Sequence, residues 1–266
     1  MNHVVNGCMS YLRENQSLSP NTMASYERDI RQYTAYLVNH GILDIRQAGK
    51  EVLQGYISSL INFGKSPSTI SRCVASLRIF YRFLIRNGYI EGNPIVGIEA
   101  PKLSRKPPKI LSVQEVQKLM EVPGTQGVKN IRDKAIIGLL YETGLKVSEL
   151  IALNIDHIDF DNACLYCNKG LKKRSVPIRP LCLGDLEDYL KRSRPYLLKD
   201  SKEKSLFINS SGKSISRQGI WKIIKKYTRM ANLENGVTPY TLRHTLAAVP
   251  LRTGDNAGGL QKTFQE

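Results

Sequence analysis

Two runs of basic residues have spacings that place their side chains along one side of a helix. Arg78, Arg82 and Arg86 are four residues apart. The second run begins after Arg217 and is joined by steps of three and four residues: Lys222, Lys225, Lys226 and Arg229. Like charges at these spacings repel one another, and few acidic residues accompany them. Such rows of cations can neutralise the phosphates of a polyanion.

The ordinary interpretation of one basic run is a solvated helix surface. Here each half of the chain has such a run, and 39 Lys and Arg residues against 23 Asp and Glu residues give a net charge of +16. A polyanion that spans both halves would relieve the repulsion, so we expect double-stranded DNA as the partner. A membrane surface is the weaker alternative, because we expect the apolar sides of these helices to pack in protein cores.

Three further segments combine cations with residues that can serve at a phosphate. They are Thr143–Leu150 (TGLKVSEL), the turn at Lys169 and Gly170, and Thr238–Thr245 (TPYTLRHT). In order and spacing these segments resemble the tyrosine recombinase family, which includes phage integrases and Xer-like proteins. The first is similar to its box I, the lysine to its hairpin lysine, and the third to the H-x-x-R-H of its box II. The resemblance covers nearly all of the chain as far as about Ala248.

The resemblance implies phosphoryl transfer on DNA. In the family a tyrosine attacks one phosphate and leaves a 3′-phosphotyrosyl bond, and the reverse reaction joins a new strand without metal or nucleotide cofactor. Arg243 would be the second arginine that stabilises the phosphate oxygens, Lys169 the acid for the departing oxygen, and Glu149 a support residue. Judged without the motifs, Lys169 is an ordinary solvated turn lysine. We expect no cofactor and no metal site.

The departures from the family pattern concern catalysis. Lys146 stands at the first arginine position, where it keeps the charge but loses the forked grip on a phosphate. Tyr240 stands at the first histidine position. Counting on from Arg243 brings the second histidine position to about Glu266, and the nucleophilic tyrosine position beyond it. Tyr240 is the last tyrosine of the sequence and occupies the wrong motif position for a nucleophile, so we expect this chain alone to be inactive.

The segment from Val249 onward also departs from the family. Pro250 falls where relatives continue a helix, and Gly258 and Gly259 fall inside the next expected helix. We therefore expect a catalytic-type domain that is altered or incomplete at this end.

Three functional hypotheses follow. The leading one is a two-domain clamp on duplex DNA, of the kind used in site-specific recombination and integration, with strand cleavage and rejoining impaired or absent. In the second, a related protomer on the same DNA supplies the tyrosine. In the third, the chain is a regulatory or architectural DNA binder that occupies recombination sites. We expect the free chain to be mostly monomeric.

The elements that must position these residues divide the chain into two predicted domains. Ser19-Pro20 and Ser66-Pro67 are helix starts, each followed by apolar residues at helical spacing, and Val52 to Phe63 is also expected to be helical. Residues 1–96 therefore predict an all-helical, SAM-like core-binding domain. The stretch 97–110 contains three prolines and several basic residues, which is typical of an extended linker.

Residues 111–266 predict a mainly α catalytic-type domain with a small β-hairpin sheet. A capping box at Ser112–Glu115 starts it, and Gly144 is expected to end a helix. Strands are predicted at 163–167 and 174–178, joined by a basic tip in which Lys172 and Lys173 would contact DNA. Further helices are predicted at 183–193, at 216–230 and from Thr238.

The remaining composition limits the class of protein. Five cysteines are an odd number, and Cys164 and Cys167 lie on a predicted strand with no second pair to complete a zinc site. No apolar run reaches membrane-spanning length, and the polar start lacks a signal-peptide core. We expect a soluble cytoplasmic protein that is associated with the nucleoid.

Overall fold

The computed structural model describes residues 1–15, 18–101, 109–169, 172–233 and 236–248, and for residues 168, 169, 172 and 173 it describes the backbone alone. The chain forms two compact units, Met1–Lys106 and Pro107–Glu266. Each unit has its own apolar core. The core of the first unit includes Ile95 and Ile98, so ordered packing continues past residue 96. Half of the predicted linker, residues 102–108, lies outside the described residues.

The described part of the first unit is built from four α-helices and one short 3-10 turn, Ile45–Gln47. The α-helices are α1 (Asn2–Asn15), α2 (Pro20–Asn39), α3 (Lys50–Asn62) and α4 (Pro67–Arg86). Both predicted Ser-Pro starts are confirmed: the hydroxyl of Ser19 accepts the amide of Thr22 at 3.1 Å, and that of Ser66 accepts the amide of Thr69 at 3.2 Å. Each cap satisfies a backbone donor that the first turn leaves unpaired.

Polar contacts around the buried carboxylate of Asp29 fix α4 against α2. The carboxylate of Asp29 accepts hydrogen bonds from Arg72 at 2.6 Å and from Ser76 at 2.7 Å. The hydroxyls of Tyr33 and Tyr81 meet at 2.5 Å in the same interface. These contacts hold the buried side of α4 in one orientation, and they leave Arg78, Arg82 and Arg86 exposed on its other side.

The second unit is mainly helical with one small sheet, as the sequence predicted. Its helices are α5 (Val113–Glu121), α6 (Val128–Thr143), α7 (Val147–Ile151), α8 (Pro180–Asp188), α9 (Arg194–Leu197), α10 (Arg217–Met230) and α11 (Pro239–Ala248). One π-helical turn, Tyr189–Ser193, joins α8 to α9. The helix predicted at 183–193 therefore starts earlier, because Pro180 fits the first helical turn, and continues further.

The antiparallel sheet has the order β1 (Ile158–Asp159), β2 (Cys164–Lys169) and β3 (Lys172–Pro177). Leu165 lies opposite Val176 in its core-facing layer. The predicted six-residue tip was wrong in length, because pairing continues to Lys169 opposite Lys172. Backbone hydrogen bonds form the ladder whichever side chains the strands carry. A strand prediction based on apolar residues therefore underestimates how far the pairing extends.

A buried polar network attaches α10 to α6. Asp133 forms a 2.7 Å salt bridge with Arg132, whose guanidinium also donates to the carbonyl of Ile208 at 3.2 Å. The hydroxyl of Tyr227 donates to Asp133 at 3.1 Å. Because every buried charge has a partner, the network fixes which side of α10 faces the core. None of the described helices is long and apolar enough to cross a membrane.

Candidate nucleic-acid interface

The turn between α6 and α7 positions Lys146. Gly144 ends α6 in the left-handed conformation, with φ of 60°, and Leu145 is buried directly after it. The Thr143 hydroxyl donates to the carbonyl of Leu139 at 2.5 Å and secures the last turn of α6. Glycine adopts this backbone geometry without the steric cost of a Cβ. The chain therefore reverses tightly and presents Lys146 to solvent at the start of α7.

Glu149 connects this turn to the sheet. Its Oε2 atom accepts the Lys146 amide at 2.7 Å and also accepts Arg174 Nη2 of β3 at 3.2 Å. One carboxylate thus fixes the backbone of Lys146 and the position of β3. The family resemblance alone predicted a support role for Glu149, and sequence reasoning missed Arg174, which is 25 residues away and has no local signal.

This ion pair is partly buried: 23% of the Arg174 side chain and 11% of the Glu149 side chain are exposed. Arg174 lies opposite Cys167 of β2, and its Nε atom is buried without a hydrogen-bond partner in the described part of the chain. Burial raises the pKa of the Cys167 thiol to about 11, with Glu149 acting in the same direction and Arg174 in the opposite one. A charge in such surroundings depends strongly on its partner, so Arg174 and Glu149 hold each other in place.

Arg243 of α11 contacts the same turn. Its Nη1 atom donates to the carbonyl of Gly144 at 2.5 Å, two residues before Lys146. Thr238 and Thr241 cap α11 reciprocally, each hydroxyl accepting the other residue's amide at 3.1 Å. The structure therefore brings the Arg243 segment and the Lys146 turn together, although 99 residues separate Arg243 from Gly144.

Tyr240 and His244 lie one turn apart on α11 with ring centroids 4.0 Å apart. Tyr240 is 62% exposed, whereas His244 is half-buried. Lys169 is the last residue of β2 and pairs with Lys172, the first residue of β3, which Lys173 follows. The side chains of these three lysines lie outside the described residues. Their predicted contacts with DNA therefore stay predictions.

The arginines of α4 line a groove in the first unit. Its volume is about 430 Å³, and Asn93 and Val96 form part of its wall. Arg78 donates to the carbonyl of Ile98 at 3.0 Å, while Arg86 donates to the Tyr11 hydroxyl at 2.7 Å. Arg82 has no partner among the described residues. Because these local acceptors are neutral, the groove keeps its positive charge.

The basic side of α10 forms a second positive surface, in the second unit. Arg217, Lys222, Lys225, Lys226 and Arg229 are all exposed. Lys226 donates to the Tyr227 hydroxyl at 2.9 Å, so it lies at the edge of the Asp133 network. The other four form no hydrogen bond or salt bridge within the part of the chain that the structure describes. A row of unneutralised cations at this spacing is a favourable site for phosphates.

Family comparisons agree with this arrangement. Residues 109–264 match the model of the phage integrase family, and residues 5–88 match the phage integrase N-terminal SAM-like domain. The chain belongs to the phage integrase family. Within it, this recombinase is of the Xer type: it is 35% identical over 263 residues to the tyrosine recombinase XerD of Staphylococcus epidermidis, covering 98% of this chain and 89% of the relative. XerD of Staphylococcus aureus is 34% identical over the same length and coverage.

Solved structures show the same fold. The Tn1549 transposon integrase in complex with circular intermediate DNA has a TM-score of 0.75 at 20% identity, covering 97% of this chain and 90% of the integrase chain. A lambda integrase dimer bound to a core site has a TM-score of 0.73 at 15% identity, covering 100% of this chain and 94% of the lambda integrase chain. These structures confirm the expected fold, and the family models confirm the expected family and its SAM-like N-terminal domain.

The predicted site residues of this recombinase are distributed unevenly. Arg243 contacts the turn that carries Lys146, and Glu149 links that turn to β3, the strand paired with the one that Lys169 ends. The predictions for Pro250 and the following tail lie outside the described residues. No group of three or more His, Cys, Asp or Glu residues in the described ranges is arranged to hold a metal ion.

Proposed function

We propose that this recombinase binds duplex DNA of a recombination site through the basic sides of α4 and α10, and that these 266 residues alone do not form the phosphotyrosyl intermediate. The observation that carries the proposal is the exposed, unneutralised row of cations on α10. Family membership supplies the class of partner, since the Tn1549 and lambda integrases that share the fold are recorded in complex with DNA.

The two basic surfaces support binding by both units. Each surface is carried by a helix whose opposite side is held in its unit's core, by Asp29 for α4 and by Tyr227 for α10. The cations therefore do not have to leave their positions when they meet phosphates. Contacts of this kind add affinity through release of counterions and do not depend on base sequence.

The proposed loss of catalysis rests on residue types. Arg243 lies against the Lys146 turn, where it can contact a phosphate oxygen, but lysine lacks the second donor of the arginine fork. Tyr240 occupies the box II histidine position, which is not the position of the family's nucleophile. Phosphate binding without strand cleavage is the activity that this set of residues supports.

A salt series tests the binding proposal. Changing Lys222, Lys225 and Lys226 to Ala should weaken duplex binding and flatten the plot of log K against log salt by roughly two to three units of slope. The matched control changes three exposed lysines that precede α10, Lys199, Lys202 and Lys204, and it should leave the slope near that of the wild type. Equal effects of the two triple variants would show that only net charge matters.

A nicked suicide substrate tests the catalytic proposal, because it traps the covalent intermediate of active recombinases. The purified chain should give no denaturant-resistant protein-DNA adduct, and Lys146→Arg should not restore one. An adduct that Tyr240→Phe abolishes would contradict the proposal and identify Tyr240 as the nucleophile. Adding an active relative would separate the two non-cleaving roles: a gain in strand transfer favours a shared assembly, and inhibition favours a regulatory binder.

A further inference from the structure

A groove of about 590 Å³ lies between the later turns of α10 and the start of α11, within the second unit. Four of its lining residues lie three to four positions apart and therefore share one side of α10: Trp221, Lys225, Thr228 and Arg229. The segment that leads into α11, including Val237 and Thr238, provides the opposite wall. The proposed duplex surface includes Lys225 and Arg229, but it does not account for Trp221 and Thr228 in the same groove.

Trp221 is the single tryptophan of the chain, and it is 43% exposed. The core side of α10 is occupied by Ile220, Ile223, Ile224 and Tyr227, so packing of the core does not require an indole at position 221. An exposed aromatic ring at the edge of a concave surface offers a flat platform on which another planar ring can stack.

Lys225 and Arg229 make the groove positive. They are four residues apart and both exposed, and within the described residues neither has an acidic partner. Their mutual repulsion is relieved when an anion lies between them. A phosphate group meets this requirement, since lysine supplies a point charge and arginine a forked pair of donors.

Thr228 supplies an unsatisfied hydrogen-bonding group. The residue is only 7% exposed, and its hydroxyl has no hydrogen-bond partner in the described structure. Buried hydroxyls are normally paired, and a helical threonine commonly bonds a carbonyl one turn earlier. Because Thr228 lines the groove, rotation about its Cα–Cβ bond can turn the hydroxyl toward a bound molecule.

We propose that this groove binds an unpaired nucleotide. The base stacks on Trp221, the phosphate lies between Lys225 and Arg229, and the Thr228 hydroxyl bonds a polar atom of the sugar or base. A base inside a duplex is covered on both faces, so the ligand is either a free mononucleotide or an unpaired nucleotide of a DNA strand. Lys225 and Arg229 are shared with the proposed duplex surface, whereas Trp221 and Thr228 belong to the groove alone.

The intrinsic fluorescence of Trp221 reports directly on the groove. The full chain is titrated with dAMP, with a short oligo(dT) strand and with inorganic phosphate, under selective excitation of the indole. Saturable quenching by dAMP supports a free nucleotide as ligand, and quenching by oligo(dT) without dAMP supports an unpaired nucleotide of a strand. Absence of quenching by both, or equal binding of inorganic phosphate, overturns the proposal.

Variants separate the groove from the duplex surface. By calorimetry, Trp221→Ala should weaken nucleotide binding roughly tenfold or more, and Trp221→Phe by less because a ring remains. Lys225→Ala with Arg229→Ala should abolish binding, while the charge-matched control Lys202→Ala with Lys204→Ala should not change it.

Thr228→Val keeps the shape of the side chain and removes the hydroxyl. It should therefore lower the affinity for the nucleotide and leave the affinity for duplex DNA unchanged. If Thr228→Val lowered duplex affinity as well, the groove would be part of the proposed duplex surface, and the proposal of a separate nucleotide site would be overturned. If the α10 lysine variants lost duplex binding while the wild type bound no nucleotide, the nucleotide proposal would be overturned and the duplex proposal would stand.

Discussion

Glu149 is the residue on which the geometry of the Lys146 turn depends. Glu149→Ala should lower the free energy of unfolding by about 2–3 kcal/mol, because it leaves Arg174 charged and largely buried without its partner and removes the acceptor of the Lys146 amide. Glu149→Gln keeps that acceptor and should cost less. Urea denaturation measures both values, and an Ala variant as stable as the wild type would contradict the assigned link.

The buried thiols make stability depend on pH at the alkaline side. Burial raises the pKa of Cys8 to about 12 and that of Cys73 to about 11, from an ordinary value of 9.0. Between the ordinary pKa of 9.0 and these raised values, the folded chain keeps thiol protons that the unfolded chain has lost. The free energy of unfolding is therefore unaffected below about pH 9 and falls as pH rises toward 11–12.

Each such thiol should contribute a slope of up to about 1.4 kcal/mol per pH unit in that window. Urea midpoints measured under reducing conditions from about pH 8 to about pH 10 test this slope. Cys8→Ala should flatten the decline relative to the wild type, and a midpoint that does not change with pH would show that the thiols are not protected.

At the scale of the element, α10 combines both proposed surfaces, and its first turn depends on one cap. The hydroxyl of Ser216 accepts the Gly219 amide at 3.0 Å. Ser216→Ala should therefore lower the free energy of unfolding by about 1 kcal/mol, whereas Ser210→Ala, at an exposed serine outside any helix, should have no measurable effect. Identical thermal midpoints for the two variants would exclude a stabilising cap.

At the scale of the whole molecule, the two units have separate cores, and each carries its own basic surface. Fragments 1–106 and 107–266 should each fold, and each should bind duplex DNA roughly 100-fold or more weakly than the intact chain, because linkage raises the effective concentration of the second unit. A fragment that matches the full chain in a gel-shift titration would refute joint binding.

The oligomeric state is a separate prediction for the whole molecule. We expect the free chain to sediment mostly as a monomer and related protomers to come together only on DNA. Sedimentation velocity with and without a duplex of the recombination site measures this difference. A stable oligomer in the absence of DNA would mean that the units associate through surfaces other than the basic ones.

The sequence by itself determined the features that depend on neighbouring residues. The Ser19 and Ser66 caps, the Ser112–Glu115 capping box and the Gly144 helix end were all predicted, because each depends on interactions within about four residues. The basic rows of α4 and α10 were predicted for the same reason, since helical period alone sets which side chains share a side.

Only the tertiary structure decided which distant groups meet. The contact of Arg243 with Gly144 spans 99 residues, and that of Glu149 with Arg174 spans 25. Trp221 and Thr228 form a groove only because the segment that leads into α11 returns past α10. Contacts of this kind depend on how whole helices pack around α6, and a pattern that repeats every three or four residues carries no information about that packing.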